Sequence, residues 1–136
     1  MASRITWWPA ASISNEEWEL TSTIAIERIG ILLNAGRTVI LDDTLCYRWL
    51  RERYSAVAAR HTAQFMLVYV SVSFSEIDRA IRHNETTAAR HPILLEVFEK
   101  HARSFEHPTV DEQPLVYDRT VPAEVWISAN FLRAPF

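Results

Sequence analysis

The chain of 136 residues contains very little glycine and lysine: glycine occurs only at Gly30 and Gly36, and lysine only at Lys100. A phosphate-binding loop needs glycines, whose backbone can approach the phosphates closely, and usually a lysine beside them. No stretch can be written as G-x-x-x-x-G-K-[ST]. The sequence therefore carries no phosphate-binding loop of its own. The G-x-S-x-G elbow of serine hydrolases is excluded for the same reason.

Cysteine and long hydrophobic runs are also scarce. Cys46 is the only cysteine, so no disulfide can form within the chain, and we expect a cytoplasmic protein. No apolar run is long enough to span a membrane, and the first residues lack the apolar core of a signal peptide. The five histidines show no metal-ligand spacing. The net charge of −3 predicts no nucleic-acid partner bound through charge alone.

The hydrophobic fraction of 49% and the charged fraction of 23% are typical of a globular chain. We interpret residues 1–13 as an irregular N-terminal arm and residues 14–136 as a single domain. Ser14 and Glu17 have the spacing of a capping box, which predicts a helix that starts there and ends at Gly36.

After this first helix, apolar β-branched runs alternate with segments of helical pattern. Runs of this kind predict strands that are buried on both faces. The alternation favours crossover connections and a mostly parallel sheet with helices on both faces, which is a three-layer α/β fold. The predicted strands are 38–42, 65–71 and 115–118. The predicted later helices are 45–61 with Thr44 as cap, one starting at Ser75, 93–105, and one from Pro122 to about Leu132.

Two adjacent carboxylates end the first predicted strand. In open parallel sheets the carboxyl ends of the strands face the ligand crevice. One of Asp42 and Asp43 could therefore hold a magnesium-bound water while the other caps the next helix. Equally, both could be solvated or capping.

Two groups of arginines are further candidates. Arg48, Arg51 and Arg53, on the second helix, could bind an anionic substrate through bidentate hydrogen bonds, or could form a solvated face that pairs with Glu52. Arg79, Arg82 and Arg90 flank the polar segment 85–92. Arginines on a lid can stabilise a transferring phosphoryl group, although each one alone is typical of a surface arginine.

Several short motifs follow one another in an order that is more specific than any of them alone. They are Gly36–Thr44 (GRTVILDDT), Tyr47–Arg51 (YRWLR), Leu67–Val70 (LVYV), Ser75–Ile77 (SEI), the series Arg79, Asn84 and Arg90, and Phe105–Glu112 (FEHPTVDE). Over about residues 14 to 118 this order resembles small P-loop kinases. These are AAA-domain or predicted-kinase phosphotransferases related to polynucleotide kinase, zeta-toxin and gluconate-kinase-like enzymes.

The resemblance implies ATP and magnesium as cofactors and a small molecule or a nucleic-acid end as substrate. It implies that Asp42 and Asp43 lie near magnesium and substrate, and that Arg79 and Arg90 act on the phosphates. It also implies that Pro108 and Glu112 lie near the base of the nucleotide.

Such kinases open with a strand, the phosphate loop with its helix, and a second strand, and this opening is absent before Ser14. We therefore expect an N-terminally truncated P-loop kinase-like fold in which strands 39–42 and 66–71 lose their common neighbour. The two strands could pair directly, the N-terminal arm could fill the gap, or a second chain, including a second copy, could complete the sheet. Two functions follow: a phosphotransferase by ancestry that is inactive as this chain alone, or a non-catalytic binding or assembly protein that keeps the scaffold.

Overall fold

A computed structural model describes residues 14–90 and 95–131 of the chain. The predicted arm at residues 1–13 lies outside these ranges. The described elements are α1 (Asn15–Asn34), α2 (Arg48–Arg60), β1 (Val68–Val70), α3 (Phe74–Thr87), α4 (Leu95–Ser104), a 3₁₀ turn (Val110–Glu112), β2 (Leu115–Tyr117) and α5 (Ala123–Phe131). The mixture of helices with parallel strands confirms the α/β class.

The predicted bounds of α1 are confirmed. The Ser14 hydroxyl accepts a hydrogen bond from the Glu17 amide, and the Glu17 carboxylate accepts one from the Ser14 amide. This reciprocal capping satisfies two of the amides that a helix N-terminus leaves free. At the other end, Gly36 adopts the left-handed conformation with φ of +69°, which costs glycine little because it has no Cβ.

The two strands of the described residues pair in parallel, with Val68 opposite Leu115 and Val70 opposite Tyr117. This confirms the parallel arrangement and places strands inside the predicted segments 65–71 and 115–118, although both are shorter than predicted. A third strand and a complete three-layer sheet are not seen among the described residues.

The predicted strand at 38–42 is wrong. These residues adopt no strand in the described part of the chain, and the Ile40 side chain is 91% exposed. Direct pairing with segment 66–71 therefore does not occur either. A β-branched run becomes a strand only when a neighbour takes up its backbone amides and carbonyls, and within the described residues no such neighbour lies beside this segment.

Two predicted helix caps are also wrong. Helix α2 begins at Arg48 after Tyr47, and Thr44 instead donates its amide to the Asp43 carboxylate. Helix α3 is capped by Ser73 rather than Ser75, because Glu76 is the third helical residue counted from Ser73 and completes the capping box there. The predicted start of α4 at residue 93 and the predicted end of α5 at Leu132 lie outside the described residues.

The small core forms around α2, which packs against α1. Its buried apolar side chains are Cys46, Tyr54, Val57, Ala58 and Leu67. Cys46 is buried, and its thiol packs there as a small hydrophobic group. Gly30 of α1 is buried where the His61 ring, at the end of α2, approaches the helix. No helix in the described ranges is both long enough and apolar enough to cross a membrane.

Candidate functional site

The most buried charged group of the described residues is Arg51 on α2, whose side chain is 3% exposed. Its guanidinium donates two hydrogen bonds to the Glu112 carboxylate, at 2.6 and 3.0 Å, and one each to the Leu45 and Glu106 carbonyls at 2.9 Å. Leu45 has a positive φ of 42°, a conformation that a branched side chain disfavours. Arg51 thus ties α2 to the loop that leads into β2.

Arg48 lies one helical turn earlier and binds the same loop from the surface. Its guanidinium donates to the carboxylates of Asp111 and Glu52 and to the Thr109 hydroxyl. The Arg48 backbone amide donates to the Glu106 carboxylate at 2.8 Å. Both arginines therefore bind protein carboxylates in the structure. The predicted solvated face that pairs with Glu52 describes Arg48, whose guanidinium lies 2.8 Å from the Glu52 carboxylate, but not the buried Arg51.

These ion pairs hold two carboxyl groups in the charged state. Hydrogen bonds from Arg51 lower the pKa of Glu112 from 4.5 to about 2. Hydrogen bonds from Arg48, and then from Thr109, lower the pKa of Asp111 from 3.8 to about 2. Hydrogen bonds to Asp111 and Glu52 raise the pKa of Arg48 above its usual value.

An open cavity of about 590 Å³ lies beside this cluster. Its lining includes residues 64–67, which lead into β1, and Gln113 and Leu115 at the start of β2. The cavity therefore lies at the amino-terminal ends of the strands, opposite the edge where open parallel sheets bind ligands. The charged residues of its lining are Arg48, Arg51, Glu52, Asp111 and Glu112. Three carboxylates outnumber two guanidiniums, so the cavity does not attract an anion.

The carboxyl ends of the strands carry a different set of charges. After β1 the chain passes through Ser73 into the N-terminus of α3. Strand β2 ends at Tyr117, just before Asp118 and Arg119. The pKa of Glu76, in the first turn of α3, is lowered mainly by hydrogen bonds from Ser73 and further by the charges of Arg119 and Arg79. Arg79 and Arg119 are both exposed. Two arginines and a helix N-terminus therefore surround this edge of the sheet.

The backbone of Arg90 is held beside α3 by the side chain of Asn84. The Asn84 side-chain carbonyl accepts the Arg90 amide at 2.8 Å, and its amide group donates to the Arg90 carbonyl at 3.0 Å. This turn follows Ala88, which ends α3 in the left-handed conformation. With a rise of about 1.5 Å per residue, Arg90 lies near the level of Asn84, about 8 Å along the axis from Arg79. A continued helix would place it about 16 Å away.

Asp42 and Asp43, at the end of and just after segment 38–42, are both exposed. The Asp43 carboxylate accepts hydrogen bonds from the Thr44 amide and hydroxyl, whereas no described residue bonds to the Asp42 side chain. No hydrogen bond or ion pair joins either aspartate to Arg79 or Arg90 in residues 14–90 and 95–131. Within those ranges there is also no group of three potential metal ligands.

Pro108 lies in the same loop as Glu112, next to an aromatic group that the sequence did not indicate. The Tyr69 hydroxyl hydrogen-bonds to the His107 ring at 2.9 Å, and both rings contact Phe105. The role of Glu106 and Asp111 as partners of Arg48 was also not predicted, although both lie in the FEHPTVDE motif. Arg119 was missed because no short motif surrounds it.

A family model described as AAA domain matches residues 4–108, which is well over half of the chain. No curated protein and no solved structure matches the chain.

Proposed function

Because the chain belongs to the AAA-domain family of P-loop kinase-like proteins, we propose that it acts in the ATP-dependent transfer of a phosphoryl group to a small molecule or a nucleic-acid end. The family itself supports a nucleotide-dependent function. In this proposal Arg79 and Arg90 contact the phosphates of ATP, and the 136 residues do not complete the transfer on their own.

The observation that carries the proposal is the turn that Asn84 makes with Arg90. Without it, a continued helix would place Arg90 about 16 Å along the axis from Arg79. With it, Arg90 lies near the level of Asn84, about 8 Å along the axis from Arg79. In the proposal both exposed guanidiniums act on one triphosphate near the carboxyl ends of β1 and β2. Guanidiniums held at such a place offset the negative charge of a transferring phosphoryl group.

Asp42 and Asp43 have the chemistry to hold magnesium. Mg²⁺ prefers oxygen ligands and keeps several waters, so one or two exposed carboxylates are sufficient when phosphate oxygens complete its shell. Asp42 would be the direct partner, because the Asp43 carboxylate already accepts hydrogen bonds from Thr44. When bound, the ion would neutralise charge on the phosphates.

For Arg48 and Arg51 the geometry favours a supporting role over substrate binding. The four hydrogen bonds that the Arg51 guanidinium donates are to the Glu112 carboxylate and to two backbone carbonyls, and the side chain is almost fully buried. A substrate anion would have to displace Glu112 and leave a buried carboxylate without a partner, which is costly. We assign to both arginines the task of fixing the loop that contains Pro108 and Glu112.

The proposed inactivity of the isolated 136 residues is supported by their sequence. They contain no glycine-rich lysine loop, which in kinases of this kind supplies the main contacts to the phosphates. The same fact supports the second candidate, a non-catalytic binding or assembly protein. The two candidate functions differ in whether Arg79 and Arg90 bind ATP.

The test compares the binding of Mg·ATP to the wild-type chain and to three variants, by equilibrium dialysis. Arg79→Ala and Arg90→Ala should each weaken binding about tenfold, because a charge-assisted hydrogen bond is worth at least about 1.4 kcal/mol. Arg82→Ala is the matched control, since Arg82 is on the same helix but pairs with Asp78 at 2.9 Å. Equal binding by all four proteins would favour the non-catalytic alternative, and phosphoryl transfer by the wild type would refute the inactivity.

A further inference from the structure

Strand β1 uses only one of its two edges within the described residues. The Leu67 carbonyl accepts the Leu115 amide at 2.8 Å, and the Ser71 amide donates to the Tyr117 carbonyl at 2.9 Å. Because backbone groups alternate along a strand, those of Tyr69 also face β2. The amides and carbonyls of Val68 and Val70 therefore point to the opposite edge, where no described strand pairs with them.

The sequence does not protect this edge. From Phe65 to Val72 there is no charged residue, no proline and no glycine. Natural edge strands are commonly blocked by lysine, proline or a bulge, and an apolar edge without them pairs readily with another chain. The Val68 and Val70 side chains are 41% and 54% exposed. A two-stranded sheet is also below the size that is stable without further strands or packing.

We propose that this edge pairs with the same edge of a second copy of the chain, so that two β1 strands join antiparallel and form a four-stranded sheet. In a two-fold dimer the same surface faces itself, so any charge on the edge would be placed near its own copy. The lack of charge from residue 65 to 72 removes that repulsion. This property favours a second copy over an unrelated strand, which would not require a neutral edge.

The positions of the free backbone groups fix the register. A two-fold axis at Tyr69 places Val68 opposite Val70 of the partner subunit. Each such pair exchanges two amide-to-carbonyl hydrogen bonds, so four bonds form across the interface. Side chains of directly opposed residues point to the same face, and the four valines form one apolar patch there.

Sedimentation equilibrium of the full chain at micromolar concentration tests this register. The wild type should be a dimer. V68K/V70K places lysine opposite lysine in both pairs and should weaken dimerisation at least a hundredfold. V68K/V70E places lysine opposite glutamate and should restore the dimer, with an affinity that falls as salt is added. A monomeric wild type, or a V68K/V70E protein as monomeric as V68K/V70K, would overturn the proposal.

A proline pair separates dimer loss from misfolding. Val70→Pro removes an amide from the free edge of β1 without touching the bonds to β2. Val116→Pro is the control, because the Val116 amide points to the outer edge of β2 and its side chain is similarly exposed at 48%. With circular dichroism unchanged in both, Val70→Pro should be monomeric and Val116→Pro dimeric. The reverse result would place the interface on β2 and contradict the proposal.

Discussion

Arg51 and Glu112, which are 61 positions apart, form a two-bond ion pair in which both side chains are nearly buried, at 3% and 9% exposure. The pair joins α2 to the 3₁₀ turn that precedes β2. It is therefore a long-range connection between the helical part of the described structure and its sheet.

Removal of one partner of this pair should destabilise the protein strongly. Arg51→Met or Glu112→Gln should lower the free energy of unfolding by about 3–5 kcal/mol, because a buried charge loses its partner. Urea denaturation measures the change. Arg53→Ala is the control: Arg53 pairs with the exposed Glu19, and such surface pairs contribute at most about 1 kcal/mol. Equal losses of stability in the Arg51 and Arg53 variants would show that the Arg51–Glu112 pair contributes no more than a surface ion pair.

The same cluster predicts the direction of the pH dependence. Glu112 and Asp111 have pKa values of about 2 in the folded protein, against ordinary values of 4.5 and 3.8. Below about 4.5 the unfolded chain binds protons that the folded chain does not, so stability is full at neutral pH and falls between about pH 5 and 2. The unfolding midpoint measured over this range should decrease, and the decrease should be smaller in Glu112→Gln. A midpoint that is constant or rises on acidification would contradict this expectation.

The contact between Gly30 and His61 predicts that the effect of Gly30→Ala on stability changes sign when the His61 ring is removed. A Cβ added at Gly30 would lie 2.8 Å from Nε2 of the His61 ring, which also hydrogen-bonds to Asn34. Gly30→Ala should therefore destabilise the wild type by about 1 kcal/mol, because the cost of overpacking exceeds the gain in helix propensity. In a His61→Ala background the clash is gone, and the same substitution should stabilise by up to about 1 kcal/mol. Thermal unfolding of the four proteins decides, and additive effects would exclude the contact.

The cap of α3 can be tested by two neighbouring serines. Ser73→Ala should cost about 1 kcal/mol, because its hydroxyl accepts the Glu76 amide. Ser75→Ala should change stability by less than about 0.5 kcal/mol, since Ser75 makes no cap bond to a backbone amide. Chemical denaturation should show this order, and a larger loss for Ser75→Ala would favour the cap that the sequence predicted.

Local patterns predicted from the sequence agree with the structure where their cause is local. The Ser14 box and the left-handed Gly36 depend on a few adjacent residues, and both are confirmed. The prediction of a strand at 38–42 failed because a β-branched pattern forms a strand only beside another strand. The segment itself carries no information on whether such a strand is present. The prediction that Ser75 caps α3 failed because Ser73 and Ser75 each precede a carboxylate by three residues, Glu76 and Asp78, so the spacing alone does not choose between them.

For the candidate site the sequence indicated residue types but not their partners. The sequence left Arg48 and Arg51 either as anion ligands or as a solvated face that pairs with Glu52, and the structure places the carboxylates of Asp111 and Glu112 beside them. Those carboxylates lie about 60 positions away, and no spacing rule connects residues so distant. The hydrogen bonds that join the Asn84 side chain to the Arg90 backbone were not predicted, although the series Arg79, Asn84 and Arg90 is part of the resemblance.

The most direct measurement of nucleotide binding is a calorimetric titration of the full chain with Mg·ATP, with adenosine as the comparison ligand. If the phosphates are held by Arg79 and Arg90, Mg·ATP should bind saturably with a dissociation constant near the millimolar range. Adenosine, which has no phosphate, should give no saturable heat. The absence of binding by Mg·ATP at millimolar concentration, or equal binding of both ligands, would contradict a phosphate site at this edge of the sheet.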